Sequence, residues 1–485
     1  MMVYSHLHES DRKADPMTRI VVVSNRVGPL SDTGRAGGLA VALVDVLRER
    51  GGLWFGWSGQ ISEEGTYGPL RLHEEDTVST ATIDVTQADY DEFYAGFANR
   101  ALWPTMHYRL DLTDFDKRLE QGYRRVNERF AQRLVPLLRP DDIVWVHDYH
   151  FFFLGEELRK AGMTNPIGFF LHIPFPVPEV LTALPNHRRL AEAMTAYDLV
   201  GFQTASHLHA FERYLLQEAD GTRNEDRSIS VFGRTVAADA YPIGIDAAAF
   251  SHFHQSTEGA DHFALMRKEL EAQKQIVGVD RIDYSKGLPE RFEAFERLLE
   301  MYPEHKGEVT MLQIAPPSRS EVRAYLEIQR ELEGLSGRIN GRFSDLDWTP
   351  IHLISRSFPR RSLAGIYRAS AVGLVTPLRD GMNLVAKEYV AAQDPADPGV
   401  LVLSRFAGAA EEMREAIIVN PYSIDELAEG LRQAIQMPQD ERIDRWKALN
   451  AKVTTNTASA WSRRFLDDLI SINSVTALED ETSRA

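Results

Sequence analysis

The 485-residue sequence contains no cysteine, which excludes disulfides, thiolate metal sites and cysteine nucleophiles together. A cytoplasmic setting is the expectation that follows. No apolar run reaches the ~18 residues that a membrane span needs, so no membrane partner is expected. The opening stretch to Arg19 is polar and acid-containing, without the apolar centre of a secretory signal. Residues 1–17 read as a disordered extension ahead of the first strand-like run. Positive charge is in deficit: 54 Lys and Arg against 71 Asp and Glu leave a formal net charge of −17. That balance argues against nucleic-acid binding through a basic face. Any anionic ligand must then be met by local cations and backbone N–H groups.

Several catalytic signatures are missing too. There is no Walker A motif, no HExxH and no GxSxG. Asp345-Leu-Asp-Trp-Thr349 fits the D-x-D-x-T pattern of aspartyl-phosphate phosphatases. That chemistry needs the first Asp at the end of an apolar strand, whereas Gly341-Arg-Phe-Ser precedes it, and the segment reads as a loop. Asp89 and Asp91 precede an aromatic helix rather than follow a strand, a poor arrangement for a metal. No metal and no cofactor is expected.

What is present is the balance of a globular protein, 44% hydrophobic and 26% charged, in a chain too long for one ordinary core. Two domains are the natural reading. Short β-branched runs at Ile20 to Val23, Ile143 to Val146, Ile167 to Leu171 and Leu199 to Phe202 predict buried parallel strands. Helical stretches such as Gly38 to Arg50 and Gly122 to Leu138 separate them, the pattern of an α/β domain. The alternation restarts with Ile276 to Val279, a helix over Pro289 to Met301, and Val309 to Ile314. Val372 to Val375 and Val400 to Leu403 continue it. The break falls at Tyr241-Pro-Ile-Gly-Ile-Asp246, which sets the domains at 18–245 and 246–455. A polar, acidic tail over 476–485 is expected to be flexible.

Polar groups gather where strands end, the place where open α/β sheets bind ligands. Val21-Val-Val-Ser-Asn-Arg26 is followed by Gly37 and Gly38 opening an apolar helix. Such a pair suits a diphosphate at a helix N-terminus, although it also reads as a simple turn. Trp145-Val-His-Asp148 runs a buried strand into a carboxylate that either meets ligand or caps the next helix. His172 ends another apolar run before two prolines, as a structural hydrogen-bonding group or a ligand contact. Arg281 and Lys286 leave the first strand of the second series on a loop with Gly287, and Arg319 leaves the next strand. Cations there suit a diphosphate. The sharpest segment is Thr376-Pro-Leu-Arg-Asp-Gly-Met-Asn-Leu-Val-Ala-Lys-Glu388. There a helix N-terminus faces phosphate, Asp380 takes sugar hydroxyls and Glu388 takes ribose hydroxyls, unless Asp-Gly is only a turn on a wet helix.

Together, the motifs SNR, AGGLA, GGLWFGWSG, LWPTMHYR, HDYH, FFLHIPFP, RIDYSKGLPERF and TPLRDGMNLVAKEYV resemble the retaining glycosyltransferases of family 20, the trehalose-6-phosphate synthases. The resemblance spans about Arg19 to about Ile470. It implies a GT-B fold, two Rossmann-like domains facing across a cleft, with a C-terminal helix over 456–475 crossing back to the first. By that resemblance Arg26, Tyr94, Trp103, Asp148 and Arg319 hold a glucose 6-phosphate acceptor. Gly37, Gly38, Arg281, Lys286, Phe358, Leu384, Val385 and Glu388 hold a nucleotide-glucose donor. His172 and Asp380 contact the transferred glucose, and His172, Arg281, Lys286 and Asp380 form the catalytic set. UDP-glucose is the first choice of donor, with GDP- and ADP-glucose open. The resemblance also implies a homo-oligomer, dimer or tetramer. A glycerol 3-phosphate acceptor is the neighbouring reading, disfavoured by Tyr94, Trp103 and Asp148, which suit a hexose. A non-catalytic sugar-phosphate sensor is the reading from another class, and it expects losses among Arg281, Lys286, Asp380 and Glu388 that the sequence does not have.

Overall fold

The computed structural model describes residues 19–28, 30, 38–63, 68–253, 255–270, 273–319 and 322–484, with backbone only at 38–41, 45 and 474–484. The predicted extension 1–17 lies outside them. Ten strands form a first sheet: β1 (Ile20–Arg26), β2 (Gly52–Ser62), β3 (Arg71–Glu75), β4 (Val78–Thr86), β5 (Ile143–His147), β6 (Ile167–Phe170), β7 (Leu199–Phe202), β8 (Thr222–Arg223), β9 (Ile229–Val231) and β10 (Arg234–Ala240). Their order is β3-β4-β2-β1-β5-β6-β7-β10-β9-β8, parallel throughout except for the antiparallel edges β3–β4 and β8–β9–β10. The central strands are buried on both faces, and this is why they read as unbroken β-branched runs.

A second sheet holds β11 (Lys274–Val279), β12 (Val309–Ile314), β13 (Ile351–Ile354), β14 (Val372–Val375), β15 (Val400–Ser404) and β16 (Ile417–Val419). All its pairings are parallel in the order β13-β12-β11-β14-β15-β16. That is the strand order of a doubly wound nucleotide-binding sheet, with its switch point between β11 and β14. The first sheet switches in the same way between β1 and β5. The chain passes between sheets through Tyr241–Asp246. The helix Thr257–Leu270 that follows already packs on helix Arg360–Ala369 of the second sheet.

Three expectations shift. The helix read over Gly122 to Leu138 runs from Lys117 to Leu134, because the Asp116 carboxylate caps it through Arg118 N at 2.7 Å. It stops because Pro136 sits in a 3₁₀ turn, Val135–Leu137, where it has no N–H to continue the ladder. Of the segment read as a tail, residues 476–484 are the helical end of the last helix, Ala458–Arg484. This helix outruns the expected 456–475 at its C-terminal end.

That helix returns across the underside of the first sheet. Phe465 stacks on Trp145 with centroids 5.0 Å apart, and Trp461 lies 4.9 Å from the same ring. Gly168 and Gly201 make the room: a Cβ on either would come within 2.7–2.8 Å of the Phe465 ring. Tyr241 Oη donates to Asp468 Oδ2 at 2.8 Å, and Arg464 pairs with Asp239 at 3.0 Å. Because Phe465 is fully buried, Phe465→Ala is expected to lower stability by about 3–5 kcal/mol. Urea unfolding measures it, and a loss far below that range would mean the helix contributes little to the first domain.

Candidate active site

The C-terminal ends of both sheets open on one interdomain region. Two clefts lie there, of about 430 Å³ and about 520 Å³. The first has His172, Gln203 and Ile243 on one wall and residues of the second sheet on the other. Of the ten residues expected at a nucleotide-sugar, eight line it: His172, Arg281, Lys286, Phe358, Asp380, Leu384, Val385 and Glu388. Gly38 starts the helix Gly38–Arg50, and Gly37 lies outside the described residues.

The geometry of this cleft rests on Arg291, a residue the sequence reading passed over. It is 0% exposed, on helix Leu288–Met301. Its guanidinium donates to Asp280 Oδ2 (2.7 Å), Thr376 Oγ1 (2.9 Å), Lys286 O (3.1 Å) and Gln313 Oε1 (3.3 Å). Those partners sit at or beside the ends of β11, β12 and β14 and on the Lys286 loop. Gly278 leaves the space, since a Cβ there would come within 3.1 Å of Arg291 Nη1.

Above this floor Lys286 Nζ pairs with Asp380 Oδ2, and Asn383 Nδ2 donates to the same oxygen at 3.1 Å. Burial opposes the charge on Lys286, but Asp380, Asp280 and Asp283 outweigh it and raise its pKa. For Asp380 burial is likewise overcome, by Lys286 first, and its carboxyl is held below the usual range. Neither bond uses Asp380 Oδ1. Asn383 precedes helix Leu384–Ala392 with φ 72°, a left-handed turn that brings the helix N-terminus onto the cleft. Four residues after Leu384 on that helix, Glu388 is buried with Arg360 Nε at 4.0 Å, and burial pushes its pKa up to about 7.

His172 is less available than its position suggested. Gln203 Oε1 accepts from Ile243 N at 3.1 Å, so Gln203 Nε2 is the group that donates to His172 Nδ1 at 3.2 Å. His172 Nε2 then carries its proton toward His147 Nδ1, 3.1 Å away. Both ring nitrogens are thus engaged within the protein, and burial drives the pKa down to about 3, which leaves a neutral ring. The His172 carbonyl is itself closely packed: a Cβ on Gly381 would meet it at 1.9 Å.

The second cleft is lined by Arg26, Tyr94 and Arg319 of the predicted acceptor set, together with Trp57 and Tyr90. A bulge between Ser24 and Arg26 turns Arg26 toward Trp57, whose ring lies 6.0 Å from its guanidinium. Gly59 is required beside it, having φ 86° and a missing Cβ that would sit 2.6 Å from Arg26 Nη2. Trp57, Tyr90 and Tyr94 form an aromatic wall with centroids 5.4–5.8 Å apart. Arg319 comes from the second sheet but lies 3.9 Å over the Trp103 ring and donates to Tyr149 Oη at 3.1 Å, both in the first domain. Trp103 itself is buried beneath it rather than on the cleft surface.

Asp148 lines neither cleft. It does not cap the following 3₁₀ turn. Its Oδ1 accepts from His172 N at 3.2 Å, and its backbone takes φ 76°, ψ 166°, a region almost reserved for glycine. Burial raises its pKa to about 6, against the N–H groups of Tyr149 and His172 and the charges of Arg319 and Arg281. Gln203 and Asp280 directly follow strands, so the strand-end rule applied to every strand would have found them. Arg291 carries no such signal, because its partners are spread over three strands. Asp345–Thr349 is a loop, as expected.

Residues 19–471 match glycosyltransferase family 20. The trehalose-6-phosphate synthase of Citrobacter koseri is 48% identical over 455 residues, covering 93% of this chain and 95% of that protein. An α,α-trehalose-phosphate synthase (UDP-forming) from Burkholderia xenovorans, solved in complex with glucose-6-phosphate, has TM-score 0.90 at 51% identity, over 93% of this chain and 99% of its own. A structure from E. coli bound with UDP-2-fluoro glucose gives TM-score 0.89 at 47% identity, over 93% of this chain and 99% of that one. The two facing Rossmann-like domains have the GT-B fold. The chain belongs to glycosyltransferase family 20.

Proposed function

We propose that this enzyme transfers glucose, with retention at the anomeric carbon, from UDP-glucose to glucose 6-phosphate, giving α,α-trehalose 6-phosphate and UDP. The observation that carries the reading is the pair of interdomain clefts, each with its own cations: Arg281 and Lys286 in the first, Arg26 and Arg319 in the second. The first is the donor site. Arg281 and Lys286 face the diphosphate with the N-terminus of helix Leu384–Ala392, Glu388 takes the ribose, and Phe358 lies near the base. Asp380 turns its unused oxygen to the glucosyl hydroxyls. The second is the acceptor site, where Arg26 and Arg319 take the phosphate from opposite domains and Tyr94, Trp103 and Asp148 shape the sugar pocket.

Within that arrangement the chemistry is positioning and electrostatics. The acceptor hydroxyl oxygen attacks the anomeric carbon on the face from which the diphosphate leaves. Its bond to carbon forms as the carbon–diphosphate bond breaks, and its proton passes to a diphosphate oxygen. The ring of His172, neutral and engaged at both nitrogens, is not the base in this step. It braces the strand end whose backbone N–H orients Asp148.

The direct test is an assay of nucleotide release that crosses UDP-, GDP- and ADP-glucose with glucose 6-phosphate and glycerol 3-phosphate. Turnover is expected with glucose 6-phosphate; its absence with every donor would sink the reading. Arg319→Ala is expected to raise the KM for glucose 6-phosphate about tenfold or more, since a charge-assisted contact to phosphate is lost. An unchanged KM would remove Arg319 from the acceptor site. Glu388 supplies a pH test. Burial pushes its pKa up to about 7, above the carboxyl norm, so the hydroxyl-accepting carboxylate grows in as pH rises through that value. The kcat/KM for the donor should therefore fall below about pH 7, and Glu388→Gln should flatten that limb while lowering the plateau.

A further inference from the structure

A continuous polar chain leaves the donor cleft and runs into both places where the backbone crosses between domains. It starts on the ring of His172, which accepts from Gln203, which in turn accepts from the backbone N–H of Ile243. Ile243 belongs to the first crossing. Its carbonyl accepts from Lys387 Nζ at 2.7 Å, on the helix whose first turns line the cleft. The same ammonium pairs with Glu412 Oε2 at 2.8 Å, and Glu412 Oε1 accepts from Asn456 Nδ2 at 2.6 Å in the second crossing. Lys452 Nζ binds the Glu412 carbonyl at 2.8 Å.

Packing alone does not explain this chain. Gln203 and Lys387 are each 1% exposed. A buried ammonium is costly unless paired, and burial pulls the Lys387 pKa down even with Glu412 opposing. Leucine or methionine would fill the same space at lower cost, so the lysine is there for its directed bonds. The two crossings also touch: a Cβ on Gly244 would lie 1.7 Å from Asn456 O. Any rotation of one domain on the other must act on this contact, and on the Ile243 peptide, which is held at its N–H by the first domain and at its carbonyl by the second.

We propose that Gln203 and Lys387 are positioning residues that tie the seating of the nucleotide-sugar to the relative setting of the two domains. This rests on the first cleft being the donor site. A donor there meets the His172 strand end on one side and the N-terminal turns of helix Leu384–Ala392 on the other. The polar chain joins those two walls through the crossings, so the domain setting that aligns one wall also aligns the other. Neither residue is assigned contact with the reacting atoms.

The test uses the full chain with three variants, Lys387→Met, Gln203→Leu and Asn456→Ala. For each, kcat and both KM values are measured, with calorimetry of UDP binding and small-angle scattering with and without UDP. Lys387→Met and Gln203→Leu are expected to lower kcat/KM for UDP-glucose about tenfold or more, the scale of a lost hydrogen bond to a charged or buried partner. The KM for glucose 6-phosphate should stay near that of the parent, and the scattering change on UDP addition should shrink. Asn456→Ala removes only the last, half-buried link, so it keeps the test available if the buried variants do not fold. It should act in the same direction, more weakly. A folded variant set with parental donor kinetics and a parental scattering change overturns the positioning role alone. A parent chain that neither binds UDP nor turns over removes the donor reading, and this role with it.

Discussion

A single guanidinium, that of Arg291, sets the geometry on which the first cleft depends. It is fully buried, and its four acceptors tie together the ends of β11, β12 and β14 and the carbonyl of Lys286. Burying a charge is favourable only when its partners are complete, and here they are. Asp280 is neutralised from beneath, so Lys286 is left to pair with Asp380 above. If Arg291 were absent, Asp280 would compete for Lys286, and the spacing of the loop against β14 would lose its anchor. A residue that never meets solvent thereby decides which carboxylate Lys286 faces.

Neutralisation from beneath also explains how so acidic a chain presents cations to an anion. With a net charge of −17, the protein cannot rely on its overall field. Asp280 is held by Arg291 and Asp283 by Arg319, so these buried acids are already satisfied. Arg281 at the cleft rim and Arg26 against Trp57 stand at the exposed end of the set. The imidazoles nearby stay uncharged, because burial drives down the pKa of both His147 and His172. The positive potential therefore comes from fixed, always-charged arginines and one paired lysine.

The central strands were legible because burial on both faces leaves unbroken β-branched runs, and several bounds agree with the sequence to the residue, as for Val309–Ile314. The edges were not. β3 is exposed along its whole length and carries polar side chains, so nothing in its pattern announces a strand. The segment Tyr90–Leu102 adopts π-helical spacing with a kink at Gly96, which no 3.6-residue period predicts. At the site, strand-end logic and the motif resemblance located most lining residues. The sequence left Asp148 poised between cap and ligand, and its backbone at φ 76° with no capping bond decides against the cap. Arg291 and Lys387 escaped notice because their partners are scattered, 5 to 144 positions away in the chain.

The groove that Gly168 and Gly201 hold open for Phe465 has a consequence for how the chain is made. Tyr241 and its partner Asp468 are 227 residues apart. On the ribosome, β5, β6 and β7 emerge long before the aromatic ring that fills their underside. Until then Trp145 and Phe170 present an uncovered apolar face, and the first half of the nascent chain cannot finish its core alone. The second domain is synthesised in the interval, so closure of the first core waits for the last helix.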